Sequence, residues 1–134
     1  KNLWTVPIEK SKTKTKTKGP LAPEALKIIK WQIDTLGKLT NFVFSSGSYK
    51  QEISPQTVNK LSRAIRKQAK MEDWTAHDFR RSLATLLSRN KVNLQVTEVM
   101  LGHSLGGIIQ NYNLYDWIDE QKEAYELWES MILN

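Results

Sequence analysis

Residues 75–90 read TAHDFRRSLATLLSRN, and this stretch carries the clearest helix signal in the chain. Thr75 is suited to the N-cap, where a side-chain oxygen can bond to an exposed backbone N–H group of the first turn. We therefore predict a helix that begins after Thr75 and ends near Arg89. Its apolar residues recur at intervals of three and four, as the buried stripe of an amphipathic helix does: Phe79, Leu83, Leu86 and Leu87.

Further helices are predicted on both sides of this stretch. Ser54 followed by Pro55 is a strong start signal for a helix whose core-facing residues would be Val58, Leu61 and Ile65. The remaining predicted helices cover residues 23–35, 95–101, 107–113 and 117–133, the last with an amphipathic pattern. Strands are predicted at residues 3–8 and 41–44. The fold class is therefore α+β and mainly α, with a small antiparallel hairpin or sheet beside a helical bundle.

Residues 10–19, KSKTKTKTKG, alternate lysine with threonine or serine. Composition alone favours a solvated loop, but the alternation also fits a hairpin that carries its lysines on one face. A ribbon with a lysine-lined edge can lie along nucleic-acid phosphates. The lysines on that face would be Lys12, Lys14, Lys16 and Lys18, and Lys10 just before them is a further candidate for DNA contact.

Charge and composition favour a globular domain with a polyanionic partner. The 134 residues carry a formal net charge of +6, with six lysines against Glu9 in residues 1–20 and six acids against Lys122 from Asp116 onward. The predicted helix after Ser54 has a basic side, which is usually just solvated but here joins a second basic element. Its members are Arg63, Arg66, Lys67 and Lys70. With no cysteine and two histidines in the chain, we expect no metal centre and no cofactor.

Four residues in the second half could carry chemistry. His77 and Arg80 lie one helical turn apart, so that an imidazole and a guanidinium can reach the same ligand. His103 follows Gly102 at a predicted helix end, and Tyr112 comes nine residues later. Each alone has an ordinary explanation, as a capping or dipole-bound histidine, a surface arginine or a packed tyrosine. Tyr115 lies close enough that geometry does not choose between the two tyrosines.

Taken together, these residues resemble the tyrosine recombinases, or phage-type integrases. The resemblance rests on HDFRRSLATLL, on VTEVMLGHSLGGIIQNY and on the lysine-bearing segment before them. Residues 4–12 and 19–26 and the tail from Tyr115 look most like the P4-like branch of prophage and genomic-island integrases. The resemblance implies that Tyr112 is the nucleophile and that His77, Arg80 and His103 bind the scissile phosphate. It also implies that Lys12 protonates the leaving 5′-oxygen, with Lys10 and Lys14 as neighbouring alternatives.

The resemblance further implies a site-specific recombinase that cuts and rejoins DNA through a 3′-phosphotyrosine, in integration or excision of a mobile element. Its partners would be double-stranded attachment sites and other protomers of a synaptic tetramer, in the bacterial cytoplasm at the nucleoid and away from membranes. The family's first catalytic arginine precedes the lysine hairpin and has no counterpart here. We therefore expect residues 1–134 to be the C-terminal part of the catalytic domain, and inactive alone. The alternatives are a non-catalytic DNA-binding module and a type IB topoisomerase.

Overall fold

The computed structural model describes residues 2–11, 16–103 and 115–133. These residues form five α-helices, one short 3-10 turn and a two-stranded antiparallel sheet, which confirms the predicted mainly α class. The strands are β1 (Leu3–Val6) and β2 (Thr17–Pro20), with the 3-10 turn at Ile8–Lys10 between them. The helices are α1 (Pro23–Leu36), α2 (Pro55–Ala69), α3 (Ala76–Arg89), α4 (Leu94–Met100) and α5 (Ile118–Leu133).

The chain divides into two compact units. The first contains Lys1–Leu26 and Arg80–Asn134, and the second contains Lys27–Phe79. The boundaries between the two units fall within α1 and α3. Among the described helices, none combines the length and the apolar character that a membrane span requires.

The core of the first unit lies where α3, α4 and α5 meet. Leu87 of α3 is completely buried and packs with Val96 and Met100 of α4 and with Ala124 of α5. Helix α4 is short but has a defined start, since the side chain of Asn93 accepts a hydrogen bond of 2.8 Å from the backbone N–H of Gln95. Partly buried side chains surround this cluster: Leu83, Val92, Trp117, Tyr125, Leu127, Trp128 and Met131.

The small sheet joins the start of the chain to this core, because α5 packs against β2 as well as α4. In the antiparallel register Trp4 lies opposite Gly19, and a Cβ atom at position 19 would come within 2.5 Å of the Trp4 ring. Glycine at this position lets the two strands pair beneath the indole. The first strand ends at Val6, earlier than the predicted residue 8, because Pro7 has no N–H group and a 3-10 turn follows it.

In the second unit, α2 begins where the sequence predicts. The Ser54 hydroxyl oxygen accepts a hydrogen bond of 3.2 Å from the backbone N–H of Thr57, and Pro55 occupies the first turn. The strand predicted at residues 41–44 is wrong. The structure has instead an isolated bridge between Ser45 and Glu52, closed over a tight turn in which Tyr49 has a φ of 60°. A single bridge is too short to continue as a strand.

The predicted burial of α2 is also wrong. Val58, Leu61 and Ile65 are 43%, 52% and 56% exposed, and none of residues 27–79, all of which the structure describes, is buried. An apolar helical stripe becomes a core only where another element covers it. Phe79, predicted to be buried on α3, is likewise 56% exposed, and its ring packs edge-on against Trp74.

Candidate functional site

The start of α3 sets the position of His77 and Arg80. The Asp78 carboxylate accepts hydrogen bonds from the backbone N–H of Thr75 at 2.9 Å and from its hydroxyl at 2.8 Å. This contact ties the residue at the helix N-cap to the third residue of the first turn, as one half of a capping box does. His77 therefore lies in a well-defined first turn, exposed, with Arg80 three residues further along the same helix.

Arg80 is held by the backbone that leads to His103. Its guanidinium donates a hydrogen bond to the carbonyl oxygen of Leu101, and Leu101 is itself buried. Tyr125 of α5 lies within reach of the charge on Arg80. Burial raises the pKa of the Tyr125 phenol, and the positive charge of Arg80 opposes that rise. A guanidinium has five N–H donors, and the bond to Leu101 uses one of them. The bond to Leu101 therefore fixes the Arg80 side chain and does not use its other N–H donors.

The Leu101-Gly102-His103 segment forms a Schellman turn at the end of α4. The N–H of His103 bonds to the carbonyl of Glu98 at 3.0 Å, and the N–H of Gly102 bonds to the carbonyl of Val99 at 2.9 Å. This pattern requires a left-handed residue just past the helix, and Gly102 supplies it with a φ of 68°. The glycine before the histidine therefore has a structural cause, because it stops α4 and turns the chain at His103.

His103 has a side-chain partner as well. Its Nδ1 atom lies 2.7 Å from a carboxylate oxygen of Glu98, while about half of the imidazole remains exposed to solvent. Sequence reasoning missed Glu98. In the sequence, a carboxylate stands five residues before His103, on the other side of a predicted helix end. This spacing brings the two side chains together only because the chain turns after α4.

The predicted nucleophile, Tyr112, lies outside the described residues, but its neighbour Tyr115 does not. The Tyr115 hydroxyl donates to both carboxylate oxygens of Glu120, at 2.9 and 3.1 Å, and its ring packs edge-on against Trp117. The hydrogen bond to Glu120 raises the pKa of the Tyr115 phenol, and the carboxylate charges of Glu120, Asp119 and Asp116 add to the effect. A phenol bonded to a carboxylate forms a phenolate less readily, which disfavours Tyr115 as a nucleophile.

The basic residues predicted to touch DNA fall into different environments. Lys12 and Lys14 lie outside the described residues. Lys10, at the end of the 3-10 turn, and Lys16, just before β2, are exposed. Exposed positions of this kind are compatible with phosphate contact, and the role of these lysines stays a prediction.

On α2, Arg63 and Lys67 are exposed but Arg66 is not. The Arg66 side chain is only 15% exposed, donates to the carbonyl of Trp74 at 2.7 Å and pairs with Asp73 at 3.1 Å. Its guanidinium carbon also lies 5.6 Å from the centroid of the Trp74 ring. The sequence did not indicate these contacts, because Trp74 lies eight residues downstream and beyond the end of α2. Arg66 thus has an intramolecular role, and its predicted role in DNA binding stays untested.

Within the first unit, the structure thus brings Arg80 to the turn that carries His103. His77 belongs to the second unit and precedes Arg80 by one turn of α3. The guanidinium is hydrogen-bonded to this short turn, and the half-exposed imidazole is part of it. Two such groups can together bind an oxyanion.

Comparison with known proteins identifies the family of the chain. The family model described as "Phage integrase family" matches residues 1–116. The chain is 33% identical over 98 residues to a protein named "Tyrosine recombinase" from Thermosipho africanus (strain TCF52B). That alignment covers 72% of this chain but 34% of the relative, so the chain spans about a third of that protein's length. No solved structure matched the chain.

Proposed function

The chain belongs to the phage integrase family of tyrosine recombinases, and we propose that it forms part of the catalytic domain of a site-specific recombinase that cleaves and rejoins DNA. The observation that carries the proposal is the hydrogen bond from Arg80 to Leu101, two residues before His103. This bond links a cation on α3 to the turn after α4, which supports a site where two segments that are distant in sequence bind one phosphate.

The proposed reaction is a phosphoryl transfer without a metal or a nucleotide. The Tyr112 oxygen attacks the phosphorus, a new bond to the 3′-phosphate forms, and the bond to the 5′-oxygen breaks. Lys12 protonates the departing 5′-oxygen, and the phenol proton is lost to a base or to water. A 5′-hydroxyl of another strand then attacks the phosphotyrosine and gives its proton to Lys12. The bond between phosphorus and the Tyr112 oxygen breaks, the phenol regains a proton, and a phosphodiester is restored.

Negative charge grows on the non-bridging oxygens during each of these attacks. Fixed donors aimed at that charge lower the barrier, and removal of one such donor typically costs about 100- to 1,000-fold in rate. Arg80, His77 and His103 would supply these donors. Tyrosine ionises near pH 10 in water, so the same cations would also favour the attacking phenolate.

The environment of Tyr115 supports Tyr112 as the nucleophile. The two residues are three positions apart, and the sequence alone did not separate them. Because the Tyr115 hydroxyl donates to Glu120 and lies near Asp116 and Asp119, its phenolate would form beside negative charge, which also repels a DNA phosphate. Tyr112 is therefore the better candidate.

The substrate we propose is double-stranded DNA at the attachment sites of a prophage or genomic island, bound by a tetramer of recombinase protomers in the bacterial cytoplasm. The net charge of +6 supports a polyanionic partner. The exposed basic residues Lys10, Lys16, Arg63 and Lys67 would contact the phosphate backbone. Backbone contacts of this type position a protein on DNA without specifying its sequence.

We also propose that residues 1–134 are the C-terminal part of a longer catalytic domain. The support is the span of about a third of the relative and the uncovered apolar face of α2. On this proposal the isolated chain lacks the family's first arginine and forms no covalent DNA complex at a useful rate. A covalent complex formed by the isolated chain would contradict this.

The test uses the complete recombinase and a nicked suicide substrate that traps the covalent intermediate. Tyr112→Phe should abolish the covalent complex while duplex affinity and its salt dependence stay unchanged. Tyr115→Phe is the matched control and should retain the complex. If the protein carrying Tyr112→Phe still links to DNA, the assignment of the nucleophile is wrong. If neither the unmodified protein nor the control links to DNA although both bind it, the chain belongs to a DNA-binding module without strand-transfer activity.

A further inference from the structure

We propose that Glu98 is a positioning residue for His103, holding the imidazole so that its Nε2 atom faces the phosphate. The contact itself is a property of this chain, whereas its effect on strand cleavage rests on the proposed function. Glu98 does not touch the phosphate in this proposal, and it acts only through the histidine.

The first support is that Glu98 holds His103 at two points. The backbone carbonyl of Glu98 accepts the N–H of His103 at 3.0 Å, and a carboxylate oxygen of Glu98 lies 2.7 Å from Nδ1 of the same residue. The backbone bond is the one that closes the Schellman turn. The side-chain bond then limits rotation of the imidazole about a backbone that is already fixed.

The second support is the chemistry of the two ring nitrogens. An ionised carboxylate only accepts hydrogen bonds, so the Nδ1 atom beside it must carry a proton. The neutral ring then has its lone pair on Nε2, and the protonated ring has an N–H there. In either state Nδ1 is occupied by Glu98, and Nε2 is the nitrogen left for a DNA phosphate or a proton. About half of the His103 side chain is exposed, which leaves the imidazole accessible.

The third support is the hydrogen bond from Arg80 to the same turn. Arg80 bonds to the carbonyl of Leu101, and Glu98 bonds to the ring of His103 two residues later. The guanidinium is therefore tethered to Leu101 of this turn, and the imidazole that the turn carries is tethered to Glu98 of α4. A loose imidazole would spend part of its time turned away from the phosphate that Arg80 binds, and orientation of this kind contributes to catalysis.

The first experiment measures the tautomer of His103 directly in this chain, using the nitrogen-15 chemical shifts of its imidazole at a pH where the ring is neutral. We expect the Nδ1–H tautomer in the unmodified chain and a shift toward the Nε2–H tautomer with Glu98→Ala. Glu98→Gln should keep the Nδ1–H tautomer, because the amide oxygen still accepts. Gln95→Ala, one turn earlier on α4, is the control and should change nothing. An unchanged tautomer with Glu98→Ala, or an Nε2–H tautomer in the unmodified chain, overturns the proposal.

The second experiment measures the rate of covalent complex formation in the complete recombinase. Loss of the partner that orients a metal-binding histidine typically costs about 10- to 100-fold. By analogy, Glu98→Ala should slow the reaction by about tenfold, with partial recovery for Glu98→Gln. Glu98→Ala combined with His103→Ala should be no slower than His103→Ala alone, because Glu98 acts through the imidazole.

The outcomes separate this inference from the proposed function. If Tyr112→Phe abolishes the complex and His103→Ala slows it, but Glu98→Ala reacts at the normal rate, the positioning role is wrong and the recombinase assignment stands. If Tyr112→Phe leaves the covalent complex intact, the proposed function is wrong, and the tautomer measurement still decides whether Glu98 orients the ring.

Discussion

Replacement of Arg66 by alanine should destabilise the chain by about 2–4 kcal/mol, although the residue lies on the basic side of α2. The hydrogen bond from its charged guanidinium to the Trp74 carbonyl contributes about 1.5–3 kcal/mol. The ion pair with Asp73 contributes about 0–1 kcal/mol, because Asp73 is almost fully exposed. The guanidinium above the Trp74 ring contributes about 0.5–1 kcal/mol. The three contacts share one side chain and do not add fully.

Urea unfolding followed by tryptophan fluorescence measures this loss as a fall in the free energy of unfolding. Lys67→Ala is the matched control one residue away, and an exposed lysine of this kind should change stability by no more than about 0.5 kcal/mol. Asp73→Asn should cost at most about 1 kcal/mol, since it removes the ion pair and leaves the bond to Trp74.

Duplex DNA binding completes the comparison between these two basic residues. Lys67→Ala should weaken binding and reduce the salt dependence by about one phosphate contact, without a loss of stability. If Arg66→Ala is as stable as Lys67→Ala and weakens DNA binding equally, Arg66 is a DNA contact and the intramolecular explanation is wrong.

Three further predictions follow from local contacts. Ser54→Ala should lower the free energy of unfolding by about 1 kcal/mol, because the lost hydrogen bond caps α2. Ser54→Gly should lower it by only a few tenths, because glycine leaves the N-cap accessible to water. Equal losses in urea unfolding would contradict the role of Ser54 as the N-cap. Leu87→Ala should lower the free energy of unfolding by about 2–5 kcal/mol, because the Leu87 side chain is completely buried. Leu86 is half-buried on the same helix, so Leu86→Ala should lower it clearly less. The opposite order of stabilities in thermal unfolding would show that Leu87 is not at the centre of the core. Glu120→Gln should lower the pKa of Tyr115 toward its ordinary value, since the carboxylate bonded to the phenol is the main cause of the rise. An ultraviolet titration measures this pKa once the signal of the other tyrosines, obtained with Tyr115→Phe, is subtracted. An unchanged titration midpoint for Tyr115 would refute the prediction.

The candidate site could be predicted from the sequence only in part, because some of its contacts join residues that are far apart in the chain. Tyr112 and the lysine segment came from resemblance to a family, and the structure describes neither Tyr112 nor Lys12. The pairing of Arg80 with the His103 turn needed coordinates, because it joins residues 21 positions apart. Glu98 was unpredicted because its carboxylate reaches His103 only after α4 ends and the chain reverses.

The sequence by itself determined where several elements begin and end. Ser54 with Pro55 starts α2, the pair Thr75 and Asp78 starts α3, and Gly102 ends α4. These signals are local, since each depends on bonds between residues no more than five positions apart. Only the tertiary structure decided which apolar faces are covered, because Leu87 and Ile65 both lie on helices with an apolar stripe, yet only Leu87 is covered by other elements. Burial depends on neighbours that are distant in sequence, and periodicity records only that a helix has an apolar side.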